Sequence, residues 1–407
     1  TNMKTIHTNS LLAVLALSSA AMPLVADPIE SSLDDGFASL EEAVPGKFSL
    51  NTRLRYEVFD LDNGNPALDR DGTSIRARYG YTTPDFNGFT AMVEGETLSR
   101  VGGDHADIHP LDDAGDGTDL NQLWVQYADA EYGKLKLGRQ IYTLDDHRFI
   151  GHVGWRQNIQ TFDAATGAFT GIDKLTVNAF YFDAVNRVNA DYFELDAYGL
   201  NATYHFDEAL NLTGFFYEVD NADNAAWESD VIGLRATGVL TLGDLGLDVT
   251  YALSVADQDN ADTGDAGYIA ADISTKVSAV TLGGGVEILE EGFSTPLATV
   301  HKFNGFADVF AGPSLGGIAQ GLEDYYVYAG YQIPLGSGIK TKIIYHWFSP
   351  ETGSGDYGDE IDLVASYKFN KYFSAVAKYG SYDSDGGSGG VGGFDKDMFT
   401  LELNFKY

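Results

Sequence analysis

The feature that most constrains this chain is a two-residue alternation of apolar and polar side chains, carried in segments of about ten residues to the very last position. In the final segment, MFTLELNFKY, Phe399, Leu401, Leu403, Phe405 and Tyr407 share one face, and Thr400, Glu402, Asn404 and Lys406 share the other. A strand with one apolar and one wet side suits a soluble sandwich or a wall between lipid and an aqueous lumen. The connections discriminate between them. PDFNG, DAEYG, the turn at 171–173, FDEA, LGD, PLGSG and FNK are tight. They alternate with long links that include SRVGGDHADIHPLDDAGDGT, DNADNAAWE, VADQDNADTGD, SPETGSGDYG and DSDGGSGGVGGFDK. A sandwich has no reason to keep its long loops at one end, whereas a transmembrane barrel has short periplasmic turns and long outer loops.

The same template predicts a first strand KFSLNTRLRYEVF, with Phe48, Leu50, Leu54, Tyr56 and Val58 towards lipid and Ser49, Asn51, Arg53, Arg55 and Glu57 inside. The second, GTSIRARYGYTT, puts Arg76 and Arg78 inside and Ile75, Ala77 and Tyr79 outside. Further strands are expected near 88–98, 119–128, 133–142, 160–170, 174–184, 195–206, 209–219, 229–241, 244–256, 266–275, 277–287, 323–332, 338–348, 358–369, 372–382 and 397–407. The expected fold class is therefore all-β: a single transmembrane antiparallel β-barrel of about 18 strands over 47–407, its even strand number leaving both termini periplasmic. The 47 glycines, 24 tyrosines and 24 phenylalanines favour this over a helical fold.

Before the barrel, Lys4 precedes an apolar run over 11–22 that is too short to cross a bilayer and has the form of a secretory signal peptide. The signal is assigned to 1–26, with cleavage after Ala21 or Ala26. Residues 27–46 are acidic and lack strand alternation, and are expected to be a periplasmic lead-in with one helical turn. A net charge of −35 argues against nucleic acid as a partner, because counterion displacement from phosphate requires a basic surface. The expected partners are outer-membrane lipid and lipopolysaccharide around the barrel. The absence of cysteine rules out disulfides and thiolate metal sites. The acidic loops DDAGDGTD and DQDNADTGD do not fit the calcium loop with its closing Glu, and the histidines lack zinc spacing, so no metal or cofactor is implied. His346 has no GxSxG to partner, and no activated nucleophile is evident, so the chain is not read as an enzyme.

Two segments do not suit exposed loop tips. The first, 138–164, is GRQIYTLDDHRFIGHVGWRQNIQTFDA, in which Arg139, Arg148 and Arg156 occur with Asp145, Asp146 and Asp163 beside Phe149, Ile150 and Trp155. Charges next to apolar anchors point to a segment folded into the lumen. The second, about 289–322, contains STPLATVHKFNGFADVFAGPSLGG, and a link this long and apolar is expected to be a lid or plug. The arginines serve either of two purposes, which are compatible. They pair with Asp145, Asp146 and Asp163 to pin the segment, or they offer fixed positive charge and bidentate contacts to carboxylates in transit.

The order and spacing of GRQ, LDDHRFIG and WRQNIQTFDA, followed by PLATVHKFNGFAD and the residues 321–324, resemble the alginate-export outer-membrane proteins. The resemblance is specific in these blocks and diffuse over the other strands. It implies a channel for an anionic polysaccharide or related solute, with Arg139, Asp146, Arg148, Trp155, Arg156, Gln157, Asp163, Lys302, Asn304 and Asp308 at matching positions. With the inward Arg53, Arg55, Arg76 and Arg78, the expected substrate-binding set is completed by Arg139, Arg148, Arg156, Asp146 and Lys302. Glu94, Glu96, Glu360, Asp362 and Glu402 also point inward on the same parity, and Arg235 joins the basic side. A lumen of mixed sign gives a transverse field of the general-porin kind. The expected function is a passive outer-membrane channel for anionic polysaccharide or sugar-acid solutes. A general diffusion porin for small hydrophilic solutes is the alternative within that class, and a non-conducting structural or adhesive barrel the alternative outside it.

Overall fold

Eighteen antiparallel strands pair in sequence order, and β1 pairs with β18 to close the ring. The computed structural model describes residues 26–62, 69–103, 116–221, 224–244 and 246–407. The secretory segment expected at 1–26 lies, up to residue 25, outside the described residues. The first six strands are β1 (Lys47–Leu61), β2 (Arg70–Thr82), β3 (Phe89–Gly103), β4 (Gly117–Asp129), β5 (Gly133–Gln140) and β6 (Thr161–Ile172). Then come β7 (Leu175–Asn186), β8 (Tyr192–Asp207), β9 (Leu210–Asp220), β10 (Ser229–Leu242), β11 (Leu247–Asn260) and β12 (Gly264–Val277). The ring is completed by β13 (Val280–Leu289), β14 (Leu322–Ile333), β15 (Ile339–Ser349), β16 (Gly358–Lys368), β17 (Phe373–Ser384) and β18 (Lys396–Lys406).

Alternation sets which side each residue faces. On β1, Leu54 and Tyr56 are exposed while Arg55 and Glu57 are buried, and on β2 Ile75 and Tyr79 are exposed while Arg76 is buried. Apolar side chains such as Leu123, Val125, Leu135, Leu137, Leu234 and Val255 form the outside of the ring. Such an apolar band, closed on itself, satisfies every strand's backbone and matches a surrounding of lipid, which places the chain in the outer membrane. Tight turns occupy one end and the long connections the other, in the order the sequence predicts.

Two connections differ from expectation. VADQDNADTGD is mostly strand, since β11 runs to Asn260, β12 begins at Gly264, and residues 261–263 suffice to join them. The lead-in is not one turn of helix but an 18-residue helix, α1 (Ala26–Ala43). Its acidity reads as lead-in, but Ile29, Leu33, Phe37, Leu40 and Val44 recur at helical spacing.

The lumen is not an empty bore. Residues 141–160 and 290–321 fold into it and pack in two apolar clusters. One joins Leu144, Ile150 and Leu297 to Phe162, Phe182 and Phe215 of the wall. The other joins Phe293, Ala307, Phe310 and Ile318 to Tyr268, Phe348 and Tyr382. Phe149 bridges them, with ring centroids 5.1 Å from Phe215 and 5.5 Å from Tyr268.

Candidate functional site

The first inserted segment is held by its backbone carbonyls. Arg53 on β1 donates from Nη1 to the carbonyls of Trp155 and Arg156, both at 3.0 Å, and from Nη2 to that of Gly154 at 3.1 Å. Arg55 also donates to the Trp155 carbonyl, and its guanidinium lies 4.3 Å from the Trp155 ring centroid. Arg76 donates to the Gln157 carbonyl at 3.4 Å, and the Gln157 amide returns to Ser74 Oγ at 2.8 Å. The wall itself supplies counter-charge: Glu402 lies 2.5 Å from Arg55 and 3.6 Å from Arg53, and Glu96 lies 3.5 Å from Arg78, the next inward arginine of β2. Asp145, His147 and Val153 take positive φ, which folds the segment tightly enough to lie inside the ring.

The second segment is held by donors. Ala307 N–H donates to Glu360 at 2.7 Å, and Phe306 N–H to the two oxygens of Asp362 at 3.1 and 3.2 Å. The Asn304 amide donates to Glu287 at 2.7 Å and to Asp324 at 3.2 Å. His346 stands between two wall carboxylates, with Nδ1 2.8 Å from Asp324 and Nε2 3.5 Å from Asp362. Gly305 has φ 89° and a Cβ there would run into the Glu360 carboxylate, so close approach of chain to wall requires glycine.

The segments also bind each other. Gly151 N–H donates to the Leu297 carbonyl at 2.8 Å and Thr299 N–H to the His147 carbonyl at 3.0 Å. Trp155 stacks on His301 with centroids 3.9 Å apart, and Lys378 Nζ lies 3.7 Å from the Trp155 centroid on the inner wall.

Within this frame the predicted site residues part company. Arg53, Arg55, Arg76 and Arg78 line the inner wall as described. Arg148 is buried and pairs not with the neighbouring aspartates but with Glu287, at 2.8 Å. Asp146 is held instead by Arg235 of β10, while Lys302 donates to the Asp146 carbonyl at 2.7 Å. Arg139 is a correction to the expected set. It shares the parity of the lipid-facing Leu135 and Leu137, so it lies on the outer side of β5, bonded to Asp163 at 2.7 and 2.8 Å beside Tyr192. The pairing was legible; its side of the wall follows from counting back two residues at a time.

Arg156 lines a cavity of about 520 Å³ at the end with the long connections, together with Arg187, Lys396, Trp155, Trp227 and Phe193. Arg187 packs 4.8 Å from the Trp227 ring centroid, and Lys396 Nζ 4.9 Å from that of Phe59. A second cavity, about 340 Å³, lies deeper and has walls of both signs: Arg235, Lys302 and Lys342 face Asp272, Glu287 and Asp324. Residues 301–308 lie between the two. His301 and Asp308 face the outer cavity, and Lys302, Asn304 and Phe306 the inner. Sequence reasoning missed Arg187, Lys396 and Trp227, which lie far apart in the sequence and meet only in the folded barrel.

Burial pushes the imidazoles of His152 and His301 down to about 4. His301 is therefore neutral at physiological pH, its Nδ1 2.7 Å from Asp308. Asp308 is buried too, which alone would push its carboxyl up, but His301, Arg156 and Lys396 outweigh this and hold it low. Burial draws the Lys302 ammonium below its ordinary value.

The alginate-export family model matches residues 44–192, a span that includes the first inserted segment and ends before the second. No curated protein sequence matches the chain. Solved structures match over nearly its whole length. Acinetobacter baumannii OccAB4 is 14% identical with a TM-score of 0.69, covering 88% of this chain and 97% of that one. OccAB3 of the same organism is 15% identical with a TM-score of 0.69, covering 89% and 100%. Pseudomonas aeruginosa OpdK, crystallised with vanillate, is 15% identical with a TM-score of 0.65, covering 89% and 99%. The fold is thus that of the Gram-negative outer-membrane channels.

Proposed function

We propose that this barrel is a passive channel for small anionic solutes of the sugar-acid class, taken up at the outer cavity and passed one at a time. The observation that carries the reading is that cavity: three cations, Arg156, Arg187 and Lys396, outnumber the two carboxylates of Asp191 and Asp308 and stand beside aromatic rings, in a space of about 520 Å³. That volume suits one ligand of small-molecule size. Guanidinium groups offer a carboxylate bidentate bonds, and ring faces cover the apolar side of a sugar or aromatic acid. OpdK, which shares the fold, was crystallised with vanillate, itself a small carboxylate. A polyuronate strand needs a continuous bore, and the two inserted segments favour a monomer or short oligomer over a long polymer.

A general diffusion porin is the second reading, and the inner cavity favours it. Its facing rows of opposite charge polarise water without selecting one sign of solute. Proteoliposome uptake of glucuronate against glucose, with planar-bilayer ion selectivity, separates the readings. Anion preference and faster glucuronate entry are expected. Equal entry decides for the general porin, and absence of conductance for a structural barrel.

A further inference from the structure

Helix α1 carries an apolar stripe of which the barrel uses one part. Ile29, Leu33, Phe37, Leu40 and Val44 fall within an arc of about 80° at the helical turn of about 100° per residue. Phe37 stacks on Tyr407 with centroids 3.4 Å apart. Ile29, Leu40 and Val44 remain 45%, 40% and 44% exposed.

What the helix touches fixes where it lies. Tyr407 follows Leu403 and Phe405 on the lipid-facing parity of β18, and Tyr372, in the tight turn before β17, packs against both Phe405 and Tyr407. Asp34 pairs with Lys371 of that turn at 2.6 Å and accepts from the Tyr372 hydroxyl, and Tyr407 donates to Glu41 at 3.2 Å. The linker follows the same path. The hydroxyl of Tyr81, another outward-facing ring, donates to the Pro45 carbonyl at 2.6 Å, and a Cβ on Gly46 would meet that ring at 2.5 Å. Helix and linker therefore run around the outside of the tight-turn rim. At this same end the exposed aromatic residues Phe86, Phe89, Tyr132 and Phe206 stand in or beside the tight turns, where a membrane boundary is expected.

We infer that α1 is an interfacial helix, its apolar stripe entering the periplasmic leaflet as a continuation of the barrel's lipid-facing surface. The partner is a zwitterionic phospholipid surface. Residues 26–44 carry six acidic side chains and no basic one, which disfavours an anionic headgroup layer. Burial of the stripe also supplies what the helix lacks by itself. Gly36, a poor helix former, sits at its middle with nothing near it, and most helical stability in proteins comes from packing of an amphipathic face. By this contact α1 fastens the β18–β1 seam to the leaflet.

The chain has no cysteine, so single spin labels can be placed on the refolded full barrel at Leu40→Cys, on the stripe, and Ala38→Cys, on the opposite side of the helix. Both positions are exposed, and heat-modified gel mobility verifies that each barrel has closed. In phosphatidylcholine bilayers the ratio of oxygen to nickel-chelate collision rates is expected to be about fivefold higher at Leu40→Cys than at Ala38→Cys. In phosphatidylglycerol bilayers that difference is expected to shrink. Equal access of nickel chelate to both sites overturns the inference, as does shielding of Leu40→Cys from both reagents, which would mean that protein covers the stripe. An unchanged difference in phosphatidylglycerol overturns the assignment to zwitterionic lipid.

Discussion

The two walls that grip the inserted segments are opposites. On β1 and β2, arginines reach out and the segment presents carbonyl oxygens at Gly154, Trp155, Arg156 and Gln157. On β13 to β16, carboxylates reach out and the segment presents N–H groups at Phe306 and Ala307, with the Asn304 amide beside them. Each wall has thus selected the pole of the peptide dipole that answers its charge. The difference teaches that much of the lumen's charge is structural, and that the transverse field is left after both walls have been partly neutralised by main chain. The groups in a position to act on a solute are those at the cavities.

Replacing Arg55 by Leu tests the basic wall most severely, because Glu402 is left buried with a weaker partner. Removing one member of a buried pair costs about 3–5 kcal/mol, and Arg53, 3.6 Å from Glu402, should hold the loss near the lower end. Lower thermal stability in micelles is expected together with a small rise in conductance, as the hold on Trp155 loosens while Arg53 and Arg76 keep theirs. If neither changes, Arg53 and Arg76 hold the segment without Arg55.

Acidification probes both segments at once. In a released segment His152 and His301 regain the ordinary imidazole value near 6.5, whereas packed they stay neutral down to about 4. The released state therefore binds more protons in that window, and the packed state loses stability as pH falls from about 6.5 to about 4, by roughly 3 kcal/mol at His301. Conductance noise should increase over this range, and His301→Gln should remove part of the increase. A flat profile would mean that these histidines remain solvated.

On the acidic wall, Asp362→Ala removes the acceptor of the Phe306 N–H and one neighbour of His346, at a cost of about 2 kcal/mol. Faster proteolysis within 290–321, but not within 141–160, is expected. Loss of both segments would show that the walls act as one. The smallest change in stability belongs to Arg156→Ala, which should shift ion selectivity towards cations and weaken glucuronate block while the barrel still assembles. Arg148→Ala, by contrast, leaves the buried Glu287 without its cation and should act chiefly on stability.

Much of the barrel was legible because its rules are local. A period of two residues and the chemistry of tight turns locate the strands, and parity puts Arg55, Arg76, Glu94 and Asp362 inside without knowledge of any neighbour. The site was less legible because its partners are distant in sequence. Nothing near Arg148 announces Glu287, and an arginine that binds carbonyl oxygens leaves no mark on the residues it holds. The error at Arg139 has a different origin. It sits inside a motif that resembles a pore segment, yet the alternation of Leu135 and Leu137 gives its side as the outer one. The lead-in helix was missed for a related reason, since its charge was conspicuous and its stripe was not.

The grip of Arg53 on three successive carbonyls has a consequence for how such channels diversify. Every amino acid offers the same carbonyl, so this anchor makes few demands on the identity of residues 154–156. Selection can exchange the side chains at Trp155 and Arg156, and with them what the outer cavity admits, while the mooring stays intact. Attachment and specificity are thereby written in separate parts of the same three residues, one in the main chain and one in the side chains, and a lineage can revise the second without rebuilding the first.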